Sequence, residues 1–276
     1  MHEREVMIMG IVIETVKTET FLMNYFRFGQ GEETFVILPG LSVQSVMGFA
    51  QSVADAYQLL ADNYTVYVFD RRNELPESYS VFDMADDTAE VLKTLGLENI
   101  NLFGASQGGM IAMIIAIKYP ELVRKLVLGS TACCIEEDRH QTVEKWIDYA
   151  KSGDKEALYL AFGEAIYPEG VYQQSRELLI EAAKTVTDED LKRFIVLAQG
   201  MANYDVSDDL EKIKCPVLVL GSKDDNVLGG EASLQIMEHL KTEKSLHMYE
   251  GYGHAAYDMA PDYKQRILDF LKGSCR

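Results

Sequence analysis

The chain predicts an α/β fold, with a mostly parallel central sheet, helices on both faces of it, and a helical cap inserted between two of its strands. Three observations predict this. Short apolar runs of strand length alternate with longer segments of helical periodicity. The run Cys215-Pro216-Val217-Leu218-Val219-Leu220-Gly221 is apolar without alternation, as a strand covered on both faces must be. The interval from Gly129 to Pro216 holds no strand-like run, yet it far exceeds an ordinary connection. The implied organisation is a core built from residues 1–132 and 211–276, with a cap over residues 133–210.

The elements follow in order. Val6–Glu14 and Phe21–Phe28 read as two opening strands, and Gly29-Gln30-Gly31 turns the chain into a strand ending at Leu38. Gln44–Leu60 reads as a helix and Thr65–Phe69 as the next strand. Asp83–Leu95 is a helix that offers Met84, Val91 and Leu92 for packing. Ile100–Phe103 is a strand, and Met110–Ile117 an apolar helix that Pro120 ends. Lys125–Leu128 is another strand. The long interval then divides into helices at Gln141–Ser152, Lys155–Ala165, Val171–Thr185 and Asp188–Met201; Asp188 and Asp190 suit the first turn of the last. After Cys215–Gly221 come a strand at Ser245–Tyr249 and an amphipathic helix at Asp262–Leu271.

Between the Ile100–Phe103 strand and its helix stands Gly104-Ala105-Ser106-Gln107-Gly108. A Gly-x-Ser-x-Gly in that setting is a nucleophile elbow, a tight strand-to-helix turn that lifts a serine hydroxyl above a parallel sheet. The glycines are needed because a Cβ would collide where helix and strand approach. The pentapeptide alone is common; its flanking strand and helix make the functional reading the stronger one. A serine hydroxyl needs a base, and the base needs a carboxylate to orient it. Of five histidines, only His254 sits in a glycine-flanked loop just after a strand, in Gly251-Tyr252-Gly253-His254-Ala255. His2 is near the beginning of the chain, His140 lies in a charged stretch, His239 in a helix and His247 inside a strand. The acid belongs between serine and histidine in chain order. Asp224 and Asp225 both follow the buried Cys215–Gly221 strand, at the edge where ligand-facing groups of an open α/β sheet belong. Oxyanion donors are expected from the backbone N–H groups of Gln107, after the nucleophile, and Leu41, after the Pro39-Gly40 pair; Ser42 is a further candidate.

Together these residues resemble the α/β-hydrolase superfamily over nearly the whole chain. The matching features are the Pro39-Gly40 loop, Asp70-Arg71-Arg72 after the next strand, the Ser106 elbow, the acid and His254. In that family the acid lies three residues after the glycine ending its strand, with an apolar residue three further on. Gly221, Asp224 and Val227 match that spacing, so the resemblance implies a Ser106–His254–Asp224 triad. Pro39-Gly40 replaces the His-Gly of many members, and Arg72 leads to Asn73-Glu74 rather than to a Gly-x-Gly. A serine nucleophile argues against the dehalogenases and epoxide hydrolases of the fold. Gln107, where proline-specific aminopeptidases carry Trp, argues against those as well.

The resemblance implies a serine hydrolase that forms an acyl-enzyme and needs no cofactor and no metal. The expected substrate is a small to medium apolar carboxylic ester. A C–C bond hydrolase, thioesterase or amidase on the same triad, or a slow-turnover ligand-binding protein, are the alternatives. The cap segment is aromatic, and Trp146, Tyr149 and Tyr159 are its candidates for lining a pocket, although most such aromatics bury a helical bundle's own core.

Composition bounds the rest. The 276 residues carry 26 basic and 44 acidic side chains, net −18, which argues against nucleic acid or an anionic membrane as partner. A small molecule is the expected partner, with the protein as monomer or homodimer. Met1-His2-Glu3-Arg4-Glu5 lacks the pattern of a signal peptide, and the longest apolar run, Met110 to Ile117, is too short to span a bilayer. Four cysteines without metal-ligand spacing suggest free thiols and a cytoplasmic location.

Overall fold

The computed structural model describes residues 6–8 and 10–273. Met1–Glu5 and Cys275 lie outside the described residues. Among the described residues, nine strands form one sheet: β1 (Val6–Ile8), β2 (Ile11–Lys17), β3 (Leu22–Phe28), β4 (Glu33–Leu38), β5 (Tyr64–Arg72), β6 (Ile100–Ala105), β7 (Val123–Gly129), β8 (Val217–Ser222) and β9 (Lys244–Tyr249). Their spatial order is β1-β2-β3-β5-β4-β6-β7-β8-β9. The first three strands form an antiparallel ribbon that joins β5 antiparallel, and β4 to β9 run parallel. The fold class is therefore the expected one. The single opening strand expected at Val6–Glu14 is two strands paired across a turn at Gly10, whose φ of 95° suits glycine.

The helices are α1 (Ala50–Ala56), α2 (Val81–Thr94), α3 (Gln107–Lys118), α4 (Glu137–Ser152), α5 (Lys155–Ile166), α6 (Glu169–Ala183), α7 (Asp188–Gln199), α8 (Ala232–His239), α9 (Ala256–Met259) and α10 (Tyr263–Leu271). They sort into two layers because the sheet is apolar on both faces. All six residues of β6 and all six of β8 are buried. On one face Val91, Leu92, Met113 and Ile114 of α2 and α3 pack in one cluster with Leu102 and Leu128. On the other, Ala50, Leu60, Ile267 and Phe270 pack in a second cluster with Phe35, Phe103 and Leu220. α3 is buried without interruption from Gln107 to Ala116, so it carries no polar stripe and starts three residues before its expected position.

Two helices begin at capping boxes. Ser80 caps α2 with Asp83, and Thr187 caps α7 with Asp190. The helix expected at Gln44–Leu60 is broken. A 3₁₀ turn spans Val46–Phe49, α1 covers only Ala50–Ala56, and a second 3₁₀ turn spans Gln58–Leu60. Gly48 is a poor helix former, and the Ser45 hydroxyl caps Met47 while reaching Asp70, which anchors the segment's start to β5. Four helices, α4 to α7, occupy the chain between β7 and β8, where the sequence shows no strand. The strand order reverses between β5-β4 and β6-β7, and the loops at the carboxyl ends of β4, β6, β8 and β9 carry the candidate site.

Candidate active site

Ser106 sits between β6 and α3 at φ 52°, ψ −123°, a conformation costly for a residue with a Cβ. The surroundings enforce it. Its N–H donates to Gly129 O at 2.9 Å, and the Thr131 hydroxyl donates to Ser106 O at 2.7 Å. A Cβ on Gly104 would lie 2.2 Å from Gly108 O, and one on Gly108 would lie 2.0 Å from Leu38 O. Only glycine fits either place. Gly40 brings the loop after β4 against the serine, since its Cβ would stand 3.1 Å from Ser106 Cβ. Gln107 is the first residue of α3, so its backbone N–H has no acceptor inside the helix. Leu41 and Ser106 line the same cavity.

His254 lies in a 3₁₀ turn, Gly253–Ala255, after β9. Its Nδ1 is 2.8 Å from Asp225 Oδ2, with both side chains under 5% exposed. The other oxygen, Asp225 Oδ1, accepts the N–H groups of Val227 at 2.8 Å and Leu228 at 3.0 Å. Burial pushes the Asp225 carboxyl up. The His254 ring and these two N–H groups outweigh that and hold it below the ordinary carboxylate range. A carboxylate on Nδ1 fixes the proton there and leaves Nε2 as the basic nitrogen. Ser106 and His254 line one cavity.

The expected acid, Asp224, is not the residue beside the histidine. Its Oδ1 accepts from the Ser222 hydroxyl and the Gly251 N–H, and its Oδ2 from the Gly253 N–H, each at 3.0 Å. Asp224 thus ties down the backbone of the histidine loop, while Asp225 holds the ring. The register explains the error. β8 runs one residue past Gly221, to Ser222, so a spacing counted from the strand's end falls on Asp225.

The cavity holding Ser106 and His254 has a volume of about 20 Å³, and the rest of its lining is aliphatic, thioether or aromatic, with the Tyr257 phenol among it. Trp146, one of the expected aromatics, lines it, and its ring packs on Phe162 with centroids 4.6 Å apart. Three other candidates lie elsewhere. Tyr149 does not line the cavity, and Lys145 sits over its ring. The Tyr159 hydroxyl donates to Gln44 Oε1 at 3.0 Å, and the Ser42 hydroxyl to Gln44 O at 2.7 Å. The insertion instead supplies Val143, Phe162, Ile166 and Met201. Those residues have no chemical signature; their helical spacing marks a buried face without saying what that face meets. A larger cavity of about 520 Å³ lies between α4 and the end of α7, lined partly by His140, Glu144, Asp148 and Lys151. It shares Val143 and Met201 with the smaller one.

Known proteins resemble this chain in sequence and in fold. The family model described as "alpha/beta hydrolase fold" matches residues 33–261. The chain belongs to the α/β-hydrolase family. Serine hydrolase BPHL of Mus musculus is 27% identical over 268 residues, covering 91% of this chain and 83% of that one. RutD of Rhizobium rhizogenes, provisionally described as a carbamate hydrolase, is 24% identical over 257 residues and covers 87% and 93%. Among solved structures, MGS-M2, an alpha/beta hydrolase enzyme from a Medee basin deep-sea metagenome library, superposes with a TM-score of 0.84 at 22% identity, covering 95% of this chain and 98% of that one. Family and relatives support a hydrolase. Among the described residues, no helix is long and apolar enough to cross a membrane, and Cys133, Cys134 and Cys215 are free thiols.

Proposed function

We propose that this α/β hydrolase is a serine esterase acting on small, neutral carboxylic esters through an acyl-enzyme. The observation that carries the reading is the buried Asp225–His254 pair, opening on the same cavity as a serine held in a strained elbow conformation. In this mechanism His254 Nε2 takes the Ser106 proton as the oxygen attacks the ester carbonyl. The backbone N–H groups of Leu41 and Gln107 hold the oxyanion, and His254 then protonates the leaving alcohol. Water repeats the sequence to release the acid.

The lining supports a neutral substrate, because among the described residues it holds no carboxylate, ammonium or guanidinium; beside Ser106 and His254 it is aliphatic, thioether or aromatic, the Tyr257 phenol included. The volume supports a short acyl group. About 20 Å³ holds little more than a water molecule. Admitting even an acetyl ester therefore requires the insertion to yield, and we infer that α4 to α7 act as a cap. The wall shared with the larger cavity, Val143 and Met201, is the inferred route for the alcohol portion. Small carbamates are a second reading, favoured by the likeness to RutD.

The test is hydrolysis of p-nitrophenyl esters from two-carbon to long acyl chains, with a p-nitrophenyl carbamate beside them, for wild type and Ser106→Ala. Turnover is expected to be highest for the shortest acyl chains and to vanish in the variant. Turnover that survives in folded Ser106→Ala would remove the mechanism.

A further inference from the structure

Arg71 is a buried charge without a carboxylate of its own. It stands near the end of β5, is 5% exposed, and among the described residues no carboxylate comes within ion-pair distance of its guanidinium. Its neighbour Asp70 is engaged elsewhere. Asp70 Oδ1 takes the Arg71 backbone N–H at 2.7 Å and Arg193 Nη2 at 2.7 Å, while Oδ2 takes the Ser45 hydroxyl. Asp70, Arg71 and Arg193 therefore leave one net positive charge in the interior. Burial lowers the Arg71 guanidinium to about 10; Asp70 works against that fall and Arg193 with it, and the group stays protonated at neutral pH.

The guanidinium points at two acceptors. Nη2 donates to Pro39 O at 2.8 Å and to Gln107 Oε1 at 2.7 Å. Pro39 precedes the Gly40-Leu41 segment, and Gln107 directly follows the serine. One nitrogen thus joins the loop after β4 to the first residue of α3. The Gln107 amide continues outward and donates to Leu197 O of α7 at 2.7 Å.

We propose that Arg71 is the positioning residue of the oxyanion hole, fixing the Leu41 and Gln107 N–H groups relative to each other and placing a buried positive charge behind the developing oxyanion. This rests on the serine hydrolase reading above. A preorganised charge in a water-excluded site acts on the transition state more than on the neutral ground state. The signature is therefore a fall in kcat with KM little changed. A residue that merely stabilised the fold would lower the thermal midpoint and leave the kinetics of the folded fraction intact.

The experiment uses the purified full chain, with p-nitrophenyl acetate turnover and the rate of Ser106 labelling by a fluorophosphonate probe as readouts. Arg71→Met is expected to lower kcat and labelling by about 10²-fold, the size of losing one oxyanion donor, with KM moving less than about threefold. Arg71→Lys keeps the charge and one donor and is expected to recover at least about tenfold of that loss. Gln107→Glu keeps the side-chain shape, gives Arg71 a carboxylate and cancels the charge in place. Because it also removes the donor to Leu197 O, it is read against Gln107→Met, which loses that donor without cancelling the charge. Gln107→Glu is expected to have a kcat about tenfold below that of Gln107→Met, and this comparison decides the matter if Arg71→Met fails to fold.

Wild-type protein that neither turns over nor labels would overturn the serine hydrolase reading and this inference with it. Wild-type protein that labels, with folded variants reacting equally fast, would overturn the inference alone. Lysine no better than methionine would also overturn it, because charge would not be the operative quantity.

Discussion

The two adjacent aspartates make opposite kinetic predictions, and Asp225→Asn is the sharper test. The carboxylate serves two kinds of donor, with Oδ2 on His254 Nδ1 and Oδ1 on the N–H groups of Val227 and Leu228. An amide has one acceptor oxygen. The two backbone N–H groups claim it, because they cannot become acceptors. The NH₂ group then faces Nδ1, which must accept, so the imidazole proton moves to Nε2. The nitrogen that should take the serine proton already carries one. This tautomer error leaves shape and volume intact and is expected to lower kcat by about 10⁴-fold, or about 5.4 kcal/mol at 1.36 kcal/mol per decade. Asp224→Asn removes charge from the bonds to the Gly251 and Gly253 N–H groups and leaves the ring's partner alone. Its expected effect is about 1–3 kcal/mol of stability, with kcat within about tenfold. The assay is kcat on the best p-nitrophenyl ester beside a thermal melt of each variant. Equal losses, or a larger kinetic loss in Asp224→Asn, would refute the assignment.

Other outcomes follow from the same contacts. Asp225 has a depressed folded-state pKa, so its contribution to stability is present above the unfolded carboxylate value near about 4 and is lost as pH falls through the folded value; urea midpoints measured on either side of that window should show acid destabilisation that is reduced in Asp225→Asn. Gly108→Ala puts a Cβ 2.0 Å from Leu38 O, a backbone atom that cannot step aside, and should cost more than about 3 kcal/mol or abolish folding in a soluble-expression and melting test. Val143→Ala thins the wall between the two cavities and should raise kcat/KM for longer esters relative to the acetate; an unchanged chain-length profile would place the substrate route elsewhere.

What the sequence makes legible is whatever depends on neighbours in the chain. Gly104, Ser106 and Gly108 announce a strained turn because only glycine tolerates the approach of Gly108 O and Leu38 O, and that requirement is written within five residues. His254 is readable for the same reason, as the histidine in a glycine-flanked loop following a strand. The acid is half readable. Its loop follows from the buried strand, but choosing between adjacent aspartates requires knowing that β8 ends at Ser222, and strand ends are set by pairing with β9, in which Ser222 sits opposite Tyr249. Beyond Trp146, what the insertion adds to the cavity lining is unreadable, since Val143, Phe162, Ile166 and Met201 differ in no local way from residues that only fill the insertion's core. Arg71 is the extreme case. Its partner Gln107 is 36 positions away and Leu197 lies 90 beyond that, so nothing local marks the three as one network.

The insertion is built into the active site's own supports. A Cβ on Gly253, one residue before the histidine, would lie 2.8 Å from Ile166 O at the end of α5, so α5 and the histidine loop are packed backbone to backbone. Gly253 N–H is also one of the groups Asp224 holds. At the opposite wall, Leu197 O of α7 receives the Gln107 amide, and Arg193 of α7 pairs with Asp70 in a setting where both side chains are under 20% exposed. The bundle therefore grips the histidine loop through α5, and Gln107 and Asp70 through α7. A substrate that pushes these helices apart strains both contacts together. If α4 to α7 act as the proposed cap over a cavity of about 20 Å³, opening far enough to bind and closing far enough to align the donors become one coupled equilibrium. On the proposed cap reading, substrates that allow closure are expected to be turned over, and bulkier ones that prop the bundle open to lose kcat before they lose binding.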